Sequence, residues 1–111
     1  MAQAKVILDQ SGPLPIEIDF KVTTALQILF VSGSVWSKGT NRTIGMDILV
    51  DNNEIGEAEI WANPASQHMT TVPQYFVPNL RPGQHKLKLK VSDTNTQSDG
   101  NDLYRVLLLE L

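Results

Sequence analysis

The sequence contains no cysteine among its 111 residues. This absence excludes disulfide bridges, thiolate metal sites and thiol redox chemistry, and it favours a reducing compartment without excluding export. Long apolar runs are missing as well, because the N-terminal run Val6-Ile7-Leu8 is too short for a signal peptide and no other run approaches membrane-spanning length. We therefore expect a soluble chain with no visible signal peptide and no membrane insertion, in a compartment that the sequence leaves unknown.

Positive charge is also in short supply. Nine Lys and Arg residues stand against twelve Asp and Glu residues, which gives a net charge of −3. Such a chain has no broad positive field to attract phosphates, so we expect no nucleic-acid partner. The apolar fraction of 41% is ordinary for a globular protein, and 111 residues suffice to bury a core. We predict a single domain over residues 1–111.

Residues that typically carry catalysis are scarce. The only histidines are His68 and His85, and their separation gives no zinc-binding spacing. A nucleophile elbow has glycines two positions before and two positions after the serine, and a helix follows it. Neither Ser32 nor Ser34 has glycines at this spacing or a helix after it. The sequence therefore predicts that the protein is not an enzyme. His85 opens a strand after a turn, and we expect it at the surface.

What the sequence does contain is strand-like alternation. In residues 16–22 apolar and charged side chains alternate, as they do in a strand with one buried face. Similar segments recur about every 8 to 12 residues, and none shows helical periodicity over three turns. Asn52 and Asn53 tolerate positive φ and predict a tight hairpin after residue 50. The fold class we predict is an all-β, antiparallel β-sandwich that is jelly-roll-like, with about eight strands.

Two segments, residues 26–31 and 103–111, are apolar on both faces. A strand of a two-layer sandwich normally has one face in contact with solvent. We therefore expect a partner subunit to cover the outer face of these two strands. The candidate interface residues are Leu107, Leu109 and Leu111 or their neighbours Val106 and Leu108, together with Leu29 and Val31. We therefore predict a homo-oligomer, either a dimer or a trimer.

The polar loop over residues 93–102 concentrates oxygen ligands. It holds three carboxylates and two asparagine amides, which calcium prefers, but Ser98 and Tyr104 occupy the places where an EF-hand needs glycine and glutamate. The same residue types are also the usual formers of polar turns. Both interpretations, a calcium site and a plain turn, remain open from the residues alone.

Two resemblances bear on this choice. The stretch Asp99-Gly100-Asn101-Asp102 before an apolar terminal strand resembles calcium-dependent bacterial lectins. The resemblance implies metal ligation by Asp99, Asn101 and Asp102, with sugar hydroxyls completing the coordination. Residues 48–52 and 82–89 are similar to carbohydrate-binding and galactose-binding-like β-sandwich modules. That likeness implies the scaffold and carries no ligand residues.

Exposed aromatic rings are the other candidate ligand-binding groups. Sugar-binding sandwiches stack pyranose faces on such rings while amides and charged groups bind hydroxyls. Trp61 with Asn63 and His68 is the preferred constellation, and Trp36 is a further candidate. The alternative is that Trp61 covers the edge of the core and that Asn63 opens a turn before Pro64.

Together these observations predict a non-enzymatic, lectin-like carbohydrate-binding module that acts as a homo-oligomer. Calcium is the one cofactor that the loop suggests. The alternative function is a structural or assembly protein, such as a phage or particle component, with no small-molecule ligand.

Overall fold

In the computed structural model, which describes residues 2–111, every regular element is a β-strand. There are ten strands: β1 Gln3–Ser11, β2 Ile16–Val22, β3 Gln27–Ser37, β4 Arg42–Val50, β5 Asn53–Ala62, β6 Met69–Thr70, β7 Gln74–Phe76, β8 Gly83–Val91, β9 Thr96–Gln97 and β10 Leu103–Glu110. The prediction of about eight strands missed β6 and β9, because a two-residue strand is too short to show alternation.

The strands form two antiparallel sheets. The first has the order β1-β10-β3-β6, and β7 and β9 also pair with β3; the second has the order β2-β8-β4-β5. Most consecutive strands lie in different sheets, the exceptions being β4–β5, β6–β7 and β9–β10, and this alternation agrees with the jelly-roll-like arrangement expected. The predicted antiparallel β-sandwich is thus confirmed.

The core lies between the two sheets and is built from the alternating apolar positions of the long strands. On β2 these include Phe20 and Val22, and on β10 they include Tyr104, Val106 and Leu108. The remaining buried members of this cluster are Leu8, Ile16, Leu29, Val31, Met46, Ile48, Val50, Ala58, Leu87 and Leu89. The segments apolar on both faces, β3 and β10, are the two strands at the centre of the six-stranded sheet.

The β4–β5 hairpin is present, but its turn differs from the prediction by one residue. Positive φ values fall on Asp51 (52°) and Asn52 (67°), whereas Asn53 already belongs to β5. Two consecutive positive φ angles are typical of a two-residue hairpin turn, which matches the twist of the flanking strands. Aspartate also tolerates positive φ. The sequence therefore indicated the correct hairpin but the wrong two central residues for its turn.

The outer face of the four-stranded sheet is charged. Register places Glu17 opposite Lys88 and Asp19 opposite Lys86, and the Lys86 Nζ lies 3.2 Å from Glu17 Oε1. The pairing of oppositely charged cross-strand residues leaves this part of the face neutral. No helix in residues 2–111 has the length and apolar character needed to cross a membrane.

His85 links the loop before β8 to the β4–β5 turn. It was expected at the surface, and in the structure its hydrogen-bonded contacts cover most of its side chain. Its side chain is only 13% exposed. Nδ1 lies 2.6 Å from Asp51 Oδ2, and Nε2 lies 2.6 Å from the carbonyl oxygen of Arg81. Since both partners can only accept hydrogen bonds, both ring nitrogens must donate, which requires the protonated imidazolium.

The stability of the domain is expected to fall as the pH rises past neutrality. The hydrogen bond to Asp51 raises the pKa of His85 above 6.5 in the folded state. The stabilisation is therefore fully present below about pH 6.5 and is lost as pH rises through the higher folded-state value. Replacing His85→Gln should cost about 1–3 kcal/mol at pH 6 and flatten the profile of unfolding free energy against pH.

Urea unfolding of the wild type and of His85→Gln between pH 5.5 and 9 measures this effect. His68 also has a raised pKa, but it is present in both proteins, so the difference between the two profiles isolates His85. Two parallel profiles would show that the His85 contacts do not stabilise the fold.

Candidate functional site

Asp102, immediately before β10, is the centre of a polar cluster at one end of the sandwich. Its side chain is fully buried. One carboxylate oxygen, Oδ1, lies 2.7 Å from His68 Nδ1 and accepts a hydrogen bond from Ser34 Oγ at 2.8 Å. The other, Oδ2, accepts from the backbone N–H of Asp99 at 2.8 Å. Both oxygens are thus engaged, as burial of a charged group requires.

Asp99 lies on the solvent side of the same cluster. Its Oδ2 is 3.6 Å from His68 Nε2, and its side chain is 48% exposed. Its Oδ1 accepts a hydrogen bond from the backbone N–H of Asn101 at 3.0 Å. The hydrogen bond to Asp102 and the charges of Asp102 and Asp99 raise the pKa of His68, against the effect of desolvation. The imidazole therefore bridges a buried and an exposed carboxylate.

The cluster includes two of the three metal ligands that the sequence suggests. Ligand atoms of His68, Asp99 and Asp102 lie within 4.8 Å of one another. The side chain of Asn101 is exposed, and Asn101 contacts the cluster through its backbone N–H. Carboxylate and amide oxygens suit calcium, whereas an imidazole nitrogen suits softer metals. Asp99 is the member whose carboxylate is most available to a ligand.

Trp36 brings an aromatic ring to this cluster. It lies on β3, and its ring centroid is 6.2 Å from that of His68, with the planes tilted by 46°. Its indole N–H is buried and has no hydrogen-bond partner within residues 2–111. Ser34 and Trp36 are two positions apart on one strand, so both side chains point to the outer face of the six-stranded sheet.

The preferred constellation of the sequence analysis is divided between two places. Trp61 and Asn63 are joined, because the Trp61 indole N–H donates to Asn63 Oδ1 at 2.5 Å. Trp61 lies on the outer face of the other sheet, opposite Thr43. No hydrogen bond or ring pair within the described residues connects Trp61 or Asn63 to His68. His68 instead joins Trp36 and the two aspartates.

Sequence reasoning missed Ser34 and the grouping of His68 with the acidic loop. The alternation of Ser32, Ser34 and Trp36 was a signal for a shared polar face on a continuing strand. His68 gave no such signal, because it precedes a two-residue strand and lies 34 positions from Asp102. Only the pairing of β6 with β3 brings the two loops together.

A second acidic group lies on the outer face of the four-stranded sheet. It consists of Asp47, Glu54 and Glu57. Repulsion by Asp47 raises the pKa of Glu54, and a hydrogen bond with Glu59 raises that of Glu57. Lys90 is directly opposite Asp47 in register and offsets part of this negative charge. We interpret the group as part of the charged outer face of this sheet.

Comparisons with known proteins show a similarity in fold only. No protein-family model matches the chain, and neither does any curated protein. The fold is similar to part of dimeric latent PorU from Porphyromonas gingivalis, with a TM-score of 0.61 and 8% identity over 99% of this chain. This chain spans only 13% of the length of that protein.

Carbohydrate-binding modules are further structural neighbours. One is the CBM36-1 domain of a multidomain xylanase from the hindgut metagenome of Trinervitermes trinervoides, with a TM-score of 0.53 and 12% identity over 91% of this chain and 73% of that one. Another is a CBM36 module in complex with calcium and xylotriose, with a TM-score of 0.50 and 13% identity over 97% of this chain and 87% of that one. Our chain therefore has a β-sandwich fold like that of these carbohydrate-binding modules.

Proposed function

We propose that the protein is a non-enzymatic carbohydrate-binding module that acts as a homo-oligomer, with its ligand site at the cluster of Trp36, His68 and Asp99. The observation that carries the proposal is the position of an exposed carboxylate and a protonatable imidazole beside an indole ring. Pyranose-binding sites usually combine an aromatic face with a few fixed polar groups.

The buried part of the cluster gives this site its rigidity. Asp102 is hydrogen-bonded to His68, Ser34 and the backbone of Asp99, so it fixes the two groups that reach solvent. A site whose groups are already fixed loses less side-chain entropy when a ligand binds. We assign Asp102 mainly to positioning and Asp99 to direct contact with the ligand.

Calcium is the cofactor that we propose, with Asp99, Asn101 and Asp102 as its ligands. Their carboxylate and amide oxygens are the donor types that calcium prefers, and the ion would supply open coordination positions for sugar hydroxyls. Support comes from the structural neighbour whose complex contains calcium and xylotriose. Since Asp102 is fully engaged, we expect Asp99 to be the ligand whose loss matters most.

Trp61 and Asn63 form a second candidate contact for sugar. The Trp61 ring is more than half exposed, and its N–H is already held by Asn63. An oriented, exposed indole can stack on a pyranose face without help from a metal. The two candidate sites therefore differ in their expected dependence on calcium.

A glycan array probed once with calcium and once with EDTA tests the proposal. We expect glycan binding that EDTA abolishes and that Asp99→Asn weakens about 10- to 100-fold, because a charge-assisted contact contributes about 1.5–3 kcal/mol. Asn at position 99 keeps an acceptor for the Asn101 N–H, so the loop should stay folded. Trp61→Ala serves as the matched variant at the other site.

The possible results separate the alternatives. Binding that survives EDTA and is lost only in Trp61→Ala would move the site to Trp61 and Asn63. If the folded wild-type protein binds no glycan on the array, with or without calcium, the proposal is contradicted and a structural or assembly role is favoured.

A further inference from the structure

The outer face of the six-stranded sheet is apolar over the part that lies away from Ser34 and Trp36. Its outward positions follow from the register, which places Leu107 between Val6 and Phe30, and places Tyr75 on the other side of Phe30. We call this surface the apolar face; its apolar members are Ala4, Val6, Ile28, Phe30, Tyr75, Leu103, Leu107 and Leu109. Tyr75 is 70% exposed, and its ring pairs with that of Phe30 at a centroid distance of 6.2 Å.

The two outer faces of the sandwich differ sharply. The large hydrophobic side chains that are exposed lie on the apolar face or beside the strands that form it, with the exception of Trp61. Those exposed at its margins are Leu26, Val72, Val77 and Leu111. The four-stranded sheet presents alternating lysines and acids instead. A contiguous apolar patch of more than a few hundred Å² marks an interaction surface, whereas scattered apolar residues do not.

The structure also decides which apolar positions are free to make such contacts. Val106, Leu108, Leu29 and Val31 are buried between the sheets, so the alternative in which they form an interface is wrong. Leu107 and Leu109 point outward and stay partly exposed, and Leu111 lies at the margin.

The few charges on the apolar face are balanced. Among the outward positions of β1, β3, β7 and β10 only Asp9 and Arg105 are charged, and they are directly opposite each other in register. A face that carries one charge of each sign is self-complementary. A two-fold contact between two such faces can place each Arg105 near an acid, while the net charge of −3 remains on the other surfaces.

We propose that the apolar face is the interface of a two-fold homodimer. With strands about 4.8 Å apart, about seven residues each of β1, β3 and β10 and the three residues of β7 cover on the order of 400 Å² in projection, and a corrugated side-chain surface exposes more accessible area than that. A standard interface buries about 800 Å² per partner, so a dimer would use the margins as well as the apolar face itself. The inference deepens the oligomer of the proposed function but does not depend on sugar binding.

A shallow depression lies near the centre of the aromatic part of the apolar face. It has a volume of about 180 Å³ and is lined mainly by Phe30, Tyr75, Pro73 and Leu107, with Arg105 and Gln74 at its side. An aromatic or aliphatic side chain of a second copy would fill it, as anchors at interface centres do.

Sedimentation equilibrium from about 1 to 100 µM tests the inference. We expect the wild type to have about twice the chain mass of 12.3 kDa. Tyr75→Lys should raise the dimer dissociation constant at least tenfold, because it places a charge in the interface while its exposed position spares the fold. Trp61→Lys is the matched control, since it adds the same charge at an exposed aromatic on the other sheet.

A wild type that stays monomeric at 100 µM would overturn the inference, and so would a dimer that Tyr75→Lys leaves intact. A folded dimer that binds no glycan would contradict the proposed function and leave the interface standing. Glycan binding that Tyr75→Lys abolishes in a monomeric wild type would show that the face binds sugar instead.

Discussion

Replacing Asp102→Ala is expected to destabilise the domain by about 2–4 kcal/mol and to abolish ligand binding at the cluster. The substitution removes a fully buried carboxylate and leaves the Ser34 hydroxyl and the Asp99 N–H without acceptors. Each buried polar group that loses its partner costs about 1–3 kcal/mol. His68 also loses its partner, but its side chain is partly exposed and water can replace the lost hydrogen bond. The total cost therefore stays below that of leaving a buried charge unpaired.

Urea unfolding with glycan binding on the same preparations measures both effects. Asp99→Asn is the matched control, because it lowers binding while its exposed side chain leaves the unfolding free energy within about 0.5–1 kcal/mol of the wild type. Asp102→Asn should lie between the two, since its amide N–H₂ would face the donating N–H of Asp99. An Asp102→Ala protein as stable as the wild type would show that the buried network does not hold the loop.

Replacing Gly45→Ala is expected to destabilise the domain by about 2–4 kcal/mol, through a different cause. Gly45 is opposite Glu59 on β5, where a Cβ would overlap the carbonyl oxygen of Ala58 and lie 3.0 Å from the Cα of Glu59. The obstacle is backbone, so the hairpin strands must separate. Overpacking of this kind costs about 1–3 kcal/mol, and more when a backbone must move.

Gly100→Ala provides the matched control for that experiment. Nothing lies within 4 Å of a Cβ at Gly100, and its φ is not positive. Alanine there should be neutral or should stabilise the fold by about 0.4–1 kcal/mol, because it restricts the unfolded chain. Thermal unfolding separates the two variants, since 1 kcal/mol shifts the melting temperature by about 4–8 °C in a domain of this size. Equal melting temperatures would contradict the steric argument.

The long strands could be predicted because their pattern is local. Each long strand either alternates apolar and polar residues or is apolar on both faces over most of its length. An amphipathic helix has a period of 3.6 residues and shows neither pattern. The short strands β6 and β9 could not be predicted, because two residues carry no period. They form only because β3 is long enough to offer them backbone partners.

The candidate site was predictable in part. The acidic loop over residues 93–102 stood out by composition, and Trp36 and His68 stood out as rare residue types. Their assembly was not predictable, since it joins residues 34 to 68 positions apart through a buried carboxylate. Because His68 is near Trp61 in the sequence, we expected these two residues to lie together. In the structure His68 instead lies beside Trp36.

By itself, the sequence determined the fold class, the hairpin after Val50 and the presence of two strands that are apolar on both faces. These features follow from side-chain period, turn chemistry and composition, which act over a few neighbouring residues. Only the tertiary structure decided which leucines of β10 face outward, which side chains His68 contacts, and which groups bind the two ring nitrogens of His85. Strand order and register set those outcomes, and antiparallel topologies with the same alternation differ in both.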